Sequence, residues 1–98
     1  MTIEVKTNEQ ELIMGVVGRL DTTTAPALEK TIMENMSGIK TLILDFKELE
    51  YISSAGLRVL LSAQKKMQQV GSMTVKNVRE EIMEVFEMTG FADILTIE

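Results

Sequence analysis

Two of the side chains that most often do chemistry in proteins, cysteine and histidine, are missing from this chain. Without cysteine there are no disulfides, no thiolate nucleophile and no cysteine metal site. Without histidine the commonest general base and the commonest transition-metal ligand are also gone. Hydrolase triads and zinc sites are therefore disfavoured, and no metal and no cofactor is expected. Uninterrupted apolar runs, such as Val59-Leu60-Leu61, fall far short of the roughly 20 residues that span a bilayer. No basic-then-apolar leader opens the chain, so the expectation is a cytoplasmic domain without membrane insertion. Clustered positive charge is lacking too: the ten Lys and Arg residues are scattered and the net charge is −5. That balance repels phosphate backbones and argues against direct binding of nucleic acid.

What is present is ordinary globular composition, 45% apolar and 26% charged, over 98 residues. A chain of this size buries a core of its own, so one domain spanning 1–98 is expected. Ile3 to Lys6 alternate apolar and polar, and Glu11 to Gly18 hold a mostly apolar run, with Asn8-Glu9-Gln10 as the turn of an N-terminal hairpin. The cap-forming cluster Asp21-Thr22-Thr23-Thr24 precedes Ala25-Pro26, and Ala25, Leu28, Ile32 and Met36 then recur at helical spacing until Ser37-Gly38. Thr41 to Phe46 reads as a central strand buried on both faces. A second helix follows Ser53-Ser54-Ala55-Gly56, with a stripe of Leu57, Leu60, Leu61, Gln64, Met67 and Val70 that ends at Gly71. Ser72 to Lys76 is a strand, Ile82, Val85 and Phe86 mark a third helix continued by Thr89, and Ile94 to Ile97 a last short strand. The predicted order is β-β-α-β-α-β-α-β, an α/β fold whose mixed, mostly parallel sheet is flanked by helices. The eight methionines sit mostly at helical positions and read as core filler.

In such a sheet, ligands and partners meet the loops that follow the carboxyl ends of strands. One candidate is Gly18-Arg19-Leu20-Asp21-Thr22-Thr23, and the other is Tyr51-Ile52-Ser53-Ser54-Ala55-Gly56-Leu57. Aspartate, threonine or serine at a helix start is also the ordinary cap. What lifts the second loop above that role is a pair of hydroxyls beside Ala55 and Gly56, which leave the backbone open to close approach. A phosphate on Ser54 would sit against the free amides and positive dipole end of the helix, and would add roughly −1.5 to −2 charges to a small surface.

Four pieces, Gly18-Arg19-Leu20-Asp21, Leu42-Ile43-Leu44-Asp45-Phe46, Tyr51-Ile52-Ser53-Ser54-Ala55-Gly56-Leu57 and Met88-Thr89-Gly90-Phe91, stand in the order and spacing of a known family. Together they make the chain resemble the STAS domains of bacterial anti-sigma factor antagonists over nearly its whole length. The resemblance implies a domain without catalysis that binds an anti-sigma factor, itself a serine kinase, and so releases a sigma factor. Phosphorylation ends the binding, and a serine phosphatase restores it. By position the phosphoacceptor falls on Ser54, with Ser53 as its neighbour. Asp21 matches an acidic residue facing the kinase, and Phe91 an apolar position at the same rim. The partner surface expected from the likeness comprises Asp21, Thr22, Ser53, Ser54, Ala55, Gly56, Leu57, Arg58 and Phe91. The chain departs from many phosphorylated members, which carry aspartate at Ser53, a second hydroxyl at Ala55 and glycine at Arg58. Relatives often continue into another helix beyond the position of Glu98, so one sheet face is expected to be less covered.

Ser53 in place of aspartate supports an alternative, an unphosphorylated STAS scaffold or subunit of a signalling or transport complex. An enzyme with Ser54 as nucleophile would need a desolvated lysine as base.

Overall fold

The computed structural model describes residues 1–98. Strands β1 (Thr2–Asn8) and β2 (Glu11–Leu20) form an antiparallel hairpin whose turn places Glu9 at φ 56°. Helix α1 (Ala25–Glu34) carries β2 over to β3 (Thr41–Asp45), which returns parallel to it. Next come a short strand β4 (Leu49–Ile52), the long helix α2 (Ser54–Val70) and β5 (Ser72–Lys76), which pairs parallel with β3. Helix α3 (Glu80–Thr89) ends at Gly90, whose φ of 83° is the left-handed cap that glycine favours, and Phe91–Asp93 form one turn of 3-10 helix. The sheet runs β1-β2-β3-β5, with β4 pairing β2 in parallel beyond Gly18. The expected α/β fold with a mixed, mostly parallel sheet is what the chain adopts.

Alternation decides what the sheet buries. Leu12, Met14 and Val16 of β2, Leu42 and Leu44 of β3 and Met73 and Val75 of β5 point to one face and are buried under the apolar stripes of the helices. Their neighbours Ile13, Val17, Ile43 and Thr74 point the other way and are half-buried. The reading of Thr41 to Phe46 as a strand buried on both faces is thus corrected: an apolar run alone does not say whether helices cover one side or two.

Each helix contributes a stripe at three-and-four spacing: Ala25, Leu28 and Ile32 from α1, Leu57, Leu60, Ala63, Gln64 and Met67 from α2, and Ile82 and Phe86 from α3. Leu61 and Val85 lie at the margin and are half-buried, while Val70 and Thr89 are exposed. Gly71 closes α2 for a packing reason, because a Cβ there would overlap the carbonyl oxygen of Lys40. The same carbonyl accepts the Ser72 N–H at 2.9 Å, which fixes the entry into β5.

Two elements differ from expectation. β4 was not foreseen; it extends the sheet only past a register shift at Gly18/Arg19. The anticipated last strand, Ile94 to Ile97, contracts to a single parallel bridge between Val75 and Ile97, with Leu95 buried beside it.

Candidate functional site

The two loops singled out by the sequence meet at the carboxyl ends of β2 and β4. In the first, Asp21 organises the approach to α1. Its Oδ1 accepts from the Thr23 N–H at 3.0 Å, the Thr23 hydroxyl at 2.8 Å, the Thr24 N–H at 3.2 Å and the Thr24 hydroxyl at 3.2 Å. The Asp21 N–H donates in turn to Thr24 Oγ1 at 2.8 Å. The hydrogen bond from the Thr23 hydroxyl, helped by those from the Thr23 and Thr24 amides and the Thr24 hydroxyl, holds the Asp21 carboxyl below the ordinary aspartate range against a smaller opposing effect of desolvation. Asp21 is therefore an ionised, ordered capping group, and Thr22 beside it stays exposed.

In the second loop the two serines differ. The Ser53 N–H donates to the Leu20 carbonyl at 2.9 Å and its own carbonyl accepts the Leu57 N–H at 3.0 Å, so its backbone is built into the sheet end and the first helical turn. Its side chain makes no capping bond, and Ser53 Oγ is buried without a hydrogen-bond partner. Ser54, the first residue of α2, is exposed. No backbone carbonyl accepts the N–H groups of Ser54, Ala55 or Gly56, and no side chain caps them. Ser54 thus presents an accessible hydroxyl beside unsatisfied amides at the positive end of a 17-residue helix.

Gly56 has a packing role within the chain. A Cβ there would lie 2.7 Å from Leu20 Cγ and 2.9 Å from Ile52 Cγ1, so the bare Cα lets α2 close onto β2 and β4 inside the chain. Gly56 and Leu57 are both buried, and the bare Cα of Gly56 packs against the chain's own Leu20 and Ile52.

A shallow cavity of about 250 Å³ between α1 and α2 brings together Thr22, Ala55 and Arg58 with Ala25, Pro26, Glu29 and Val59. Beside it, Arg19 stacks with its Cζ 4.1 Å from the centroid of the Tyr51 ring and its Nε 3.8 Å from Asp21 Oδ2. Pro26, Glu29, Val59 and the Arg19–Tyr51 stack escaped sequence reasoning, since they adjoin the loops only through the β2–β4 pairing and the packing of α1 on α2. Phe91 is half-buried against the core, and no hydrogen bond or shared cavity joins it to the two loops.

No three acidic side chains converge at metal-ligand spacing, and no helix is long and apolar enough to cross a membrane. The STAS domain family model matches residues 2–98. The chain belongs to the STAS domain family. This STAS domain is 29% identical over 98 residues to the anti-sigma-B factor antagonist of Bacillus subtilis (strain 168), across 99% of this chain and 90% of that protein. Its fold is similar to that of the anti-sigma factor antagonist SpoIIAA in its unphosphorylated form, with a TM-score of 0.85 at 17% identity over 99% of this chain and 88% of that one. It is also similar to the Bacillus cell fate determinant SpoIIAA in the phosphorylated form, with a TM-score of 0.78 at 17% identity over 99% and 91%.

Proposed function

We propose that this STAS domain is an anti-sigma factor antagonist that binds an anti-sigma factor serine kinase, is switched off by phosphorylation of Ser54, and is restored by a serine phosphatase. The observation that carries the choice of residue is the contrast between the two serines: the Ser54 side chain is exposed, whereas Ser53 Oγ is buried. A kinase must bring its γ-phosphate in line with a free hydroxyl, and of the two serines Ser54 is the one that offers it. Support for the partner class comes from the antagonist of Bacillus subtilis, and for the chemistry from SpoIIAA, a fold relative described in both phosphorylated and unphosphorylated forms.

The switch needs no refolding. A phosphate on Ser54 lands where the amides of Ser54, Ala55 and Gly56 lack acceptors, so α2 tolerates the new charge. A partner seated over Thr22, Ala55 and Arg58 meets a dianion where it had met a small neutral hydroxyl, and like-charge or desolvation penalties expel it. The domain contributes binding and no catalysis of its own, and acts in the cytoplasm where such kinases work.

Intact-mass and peptide-mapping spectrometry after incubation with the cognate kinase and ATP tests this reading. One phosphate on Ser54 is expected, retained in Ser53→Ala and lost in Ser54→Ala. Phosphate on Ser53 alone, or on neither serine, contradicts it, the latter in favour of a scaffold without the switch.

A further inference from the structure

The two edges of the sheet are treated differently. The β5 edge is covered by the chain's own end, where the Val75 N–H donates to the Thr96 carbonyl at 2.8 Å and the Glu98 N–H to the Val75 carbonyl at 2.9 Å. The β1 edge is bare: β1 is the terminal strand, pairs only with β2, and every residue from Thr2 to Asn8 except the half-buried Ile3 is exposed. Alternate residues of such a strand turn unpaired N–H and C=O groups outward, a ready template for another strand.

Natural edges of this kind are often protected by charged side chains, a proline or a bulge. β1 has no proline and no bulge, and its two charges are opposite in sign. It reads Thr2-Ile3-Glu4-Val5-Lys6-Thr7-Asn8, with one acid and one base placed symmetrically about Val5. The register fixes their faces. Glu4 stands opposite Gly15 and Lys6 opposite Ile13, on the half-exposed face, while Ile3 and Val5 stand opposite Val16 and Met14, on the helix-covered face. Val5 is nonetheless 43% exposed, because it lies at the outer margin of the covered face.

We propose that a second copy of this chain pairs antiparallel on β1, about a two-fold axis through Val5, joining two sheets into one. In that register each Glu4 faces Lys6 of the other copy on one side of the sheet, twice over by symmetry, while the two Val5 side chains meet on the other side. The competing registers fail. A shift by two residues in one direction sets Glu4 against Glu4, and in the other Lys6 against Lys6. A shift by one puts the apolar set of one copy on the open face of the other. The charge pattern of β1 is complementary to its own reverse in a single register, which selects a second copy over an unrelated strand. A lone strand pair buries less than a standard interface, so the dimer is weak and forms with rising concentration. The pairing is independent of the function proposed for Ser54.

Sedimentation velocity of the full chain from about 10 μM to about 1 mM tests this. The wild type is expected to pass from monomer toward dimer in that range. Glu4→Lys and Lys6→Glu, each turning two attractive pairs into repulsive ones, should weaken the dimer about tenfold or more. The double variant Glu4→Lys/Lys6→Glu should return to within about threefold of wild type, since the same pairs re-form with their signs exchanged. Far-UV circular dichroism of each variant separates loss of pairing from loss of fold. Because the chain has no cysteine, Val5→Cys gives a second readout: opposed residues of an antiparallel pair lie within disulfide reach, so mild oxidation should link this variant into dimers far faster than Met88→Cys, exposed on α3. A wild type monomeric throughout, a double variant no tighter than the singles, or equal linking of the two cysteine variants would overturn the proposal.

Discussion

The backbone N–H of Ser53 donates to the carbonyl of Leu20 at 2.9 Å, and this one bond ties the start of α2 to the residue immediately before Asp21. The two candidate loops are consequently joined through the β2–β4 pairing rather than independent segments. Thr22 and Arg58 line one cavity across this junction, and Ser54 stands one turn before Arg58 on the same helix.

Gly56 is the tightest point of this junction. Gly56→Ala forces a Cβ to within 2.7 Å of Leu20 Cγ and 2.9 Å of Ile52 Cγ1, so these side chains or α2 itself must shift. Overpacking of this kind costs about 1–3 kcal/mol. Urea denaturation of Gly56→Ala is expected to show a lowered midpoint with an unchanged slope; a wild-type midpoint would mean that the contact has room to relax.

Leu60 and Leu61 are adjacent in sequence and unequal in packing. Leu60 is fully buried while Leu61 sits at the stripe margin, half-buried. Leu60→Ala should cost about 2–5 kcal/mol, as removal of a buried leucine side chain does, and Leu61→Ala distinctly less. Equal losses in parallel melts would place Leu61 in the core after all.

Asp21 should titrate below its ordinary value of 3.8, because the Thr23 hydroxyl and its neighbouring donors favour the carboxylate. A carboxyl depressed in the folded state adds stability that is complete above its unfolded pKa and disappears as pH falls through the lower folded value. The capped turn before α1 is therefore intact at neutral pH and loosens only in strong acid. Carbon-detected NMR titration of the Asp21 carboxyl checks this, and a midpoint at or above the ordinary value counts against the hydrogen-bonded turn.

Much of this was legible in the chain because helices announce themselves over ten or more residues. The spacing of Leu28, Ile32, Leu60, Met67, Ile82 and Phe86 marks all three. β4 was not legible: Leu49–Ile52 is four residues long, shows no clean alternation, and is a strand only because β2 runs on past a bulge to meet it. Ile94 to Ile97 reads as a strand on composition, yet it meets β5 only in the single bridge between Val75 and Ile97, closed by the hydrogen bonds of Thr96 and Glu98 with Val75. At the site, the sequence placed Ser54, Asp21, Gly56 and Leu57 on two loops but not which of them the fold buries: Ser54 is exposed, and Gly56 and Leu57 are buried. A glycine beside two serines looks the same whether its bare Cα serves a partner or, as here, the chain's own Leu20. The Arg19–Tyr51 stack joins residues far apart in the chain, and no local pattern foretells it.

The most direct test of the central claim is titration calorimetry of the Ser54 variants against the cognate anti-sigma kinase. Ser54→Ala keeps the exposed start of α2 neutral and small, and is expected to bind as the wild type does. Ser54→Asp sets an anion where the phosphate would stand, and should bind at least about tenfold more weakly, a loss of about 1.4 kcal/mol. Equal affinity for wild type, Ser54→Ala and Ser54→Asp would contradict a switch at Ser54.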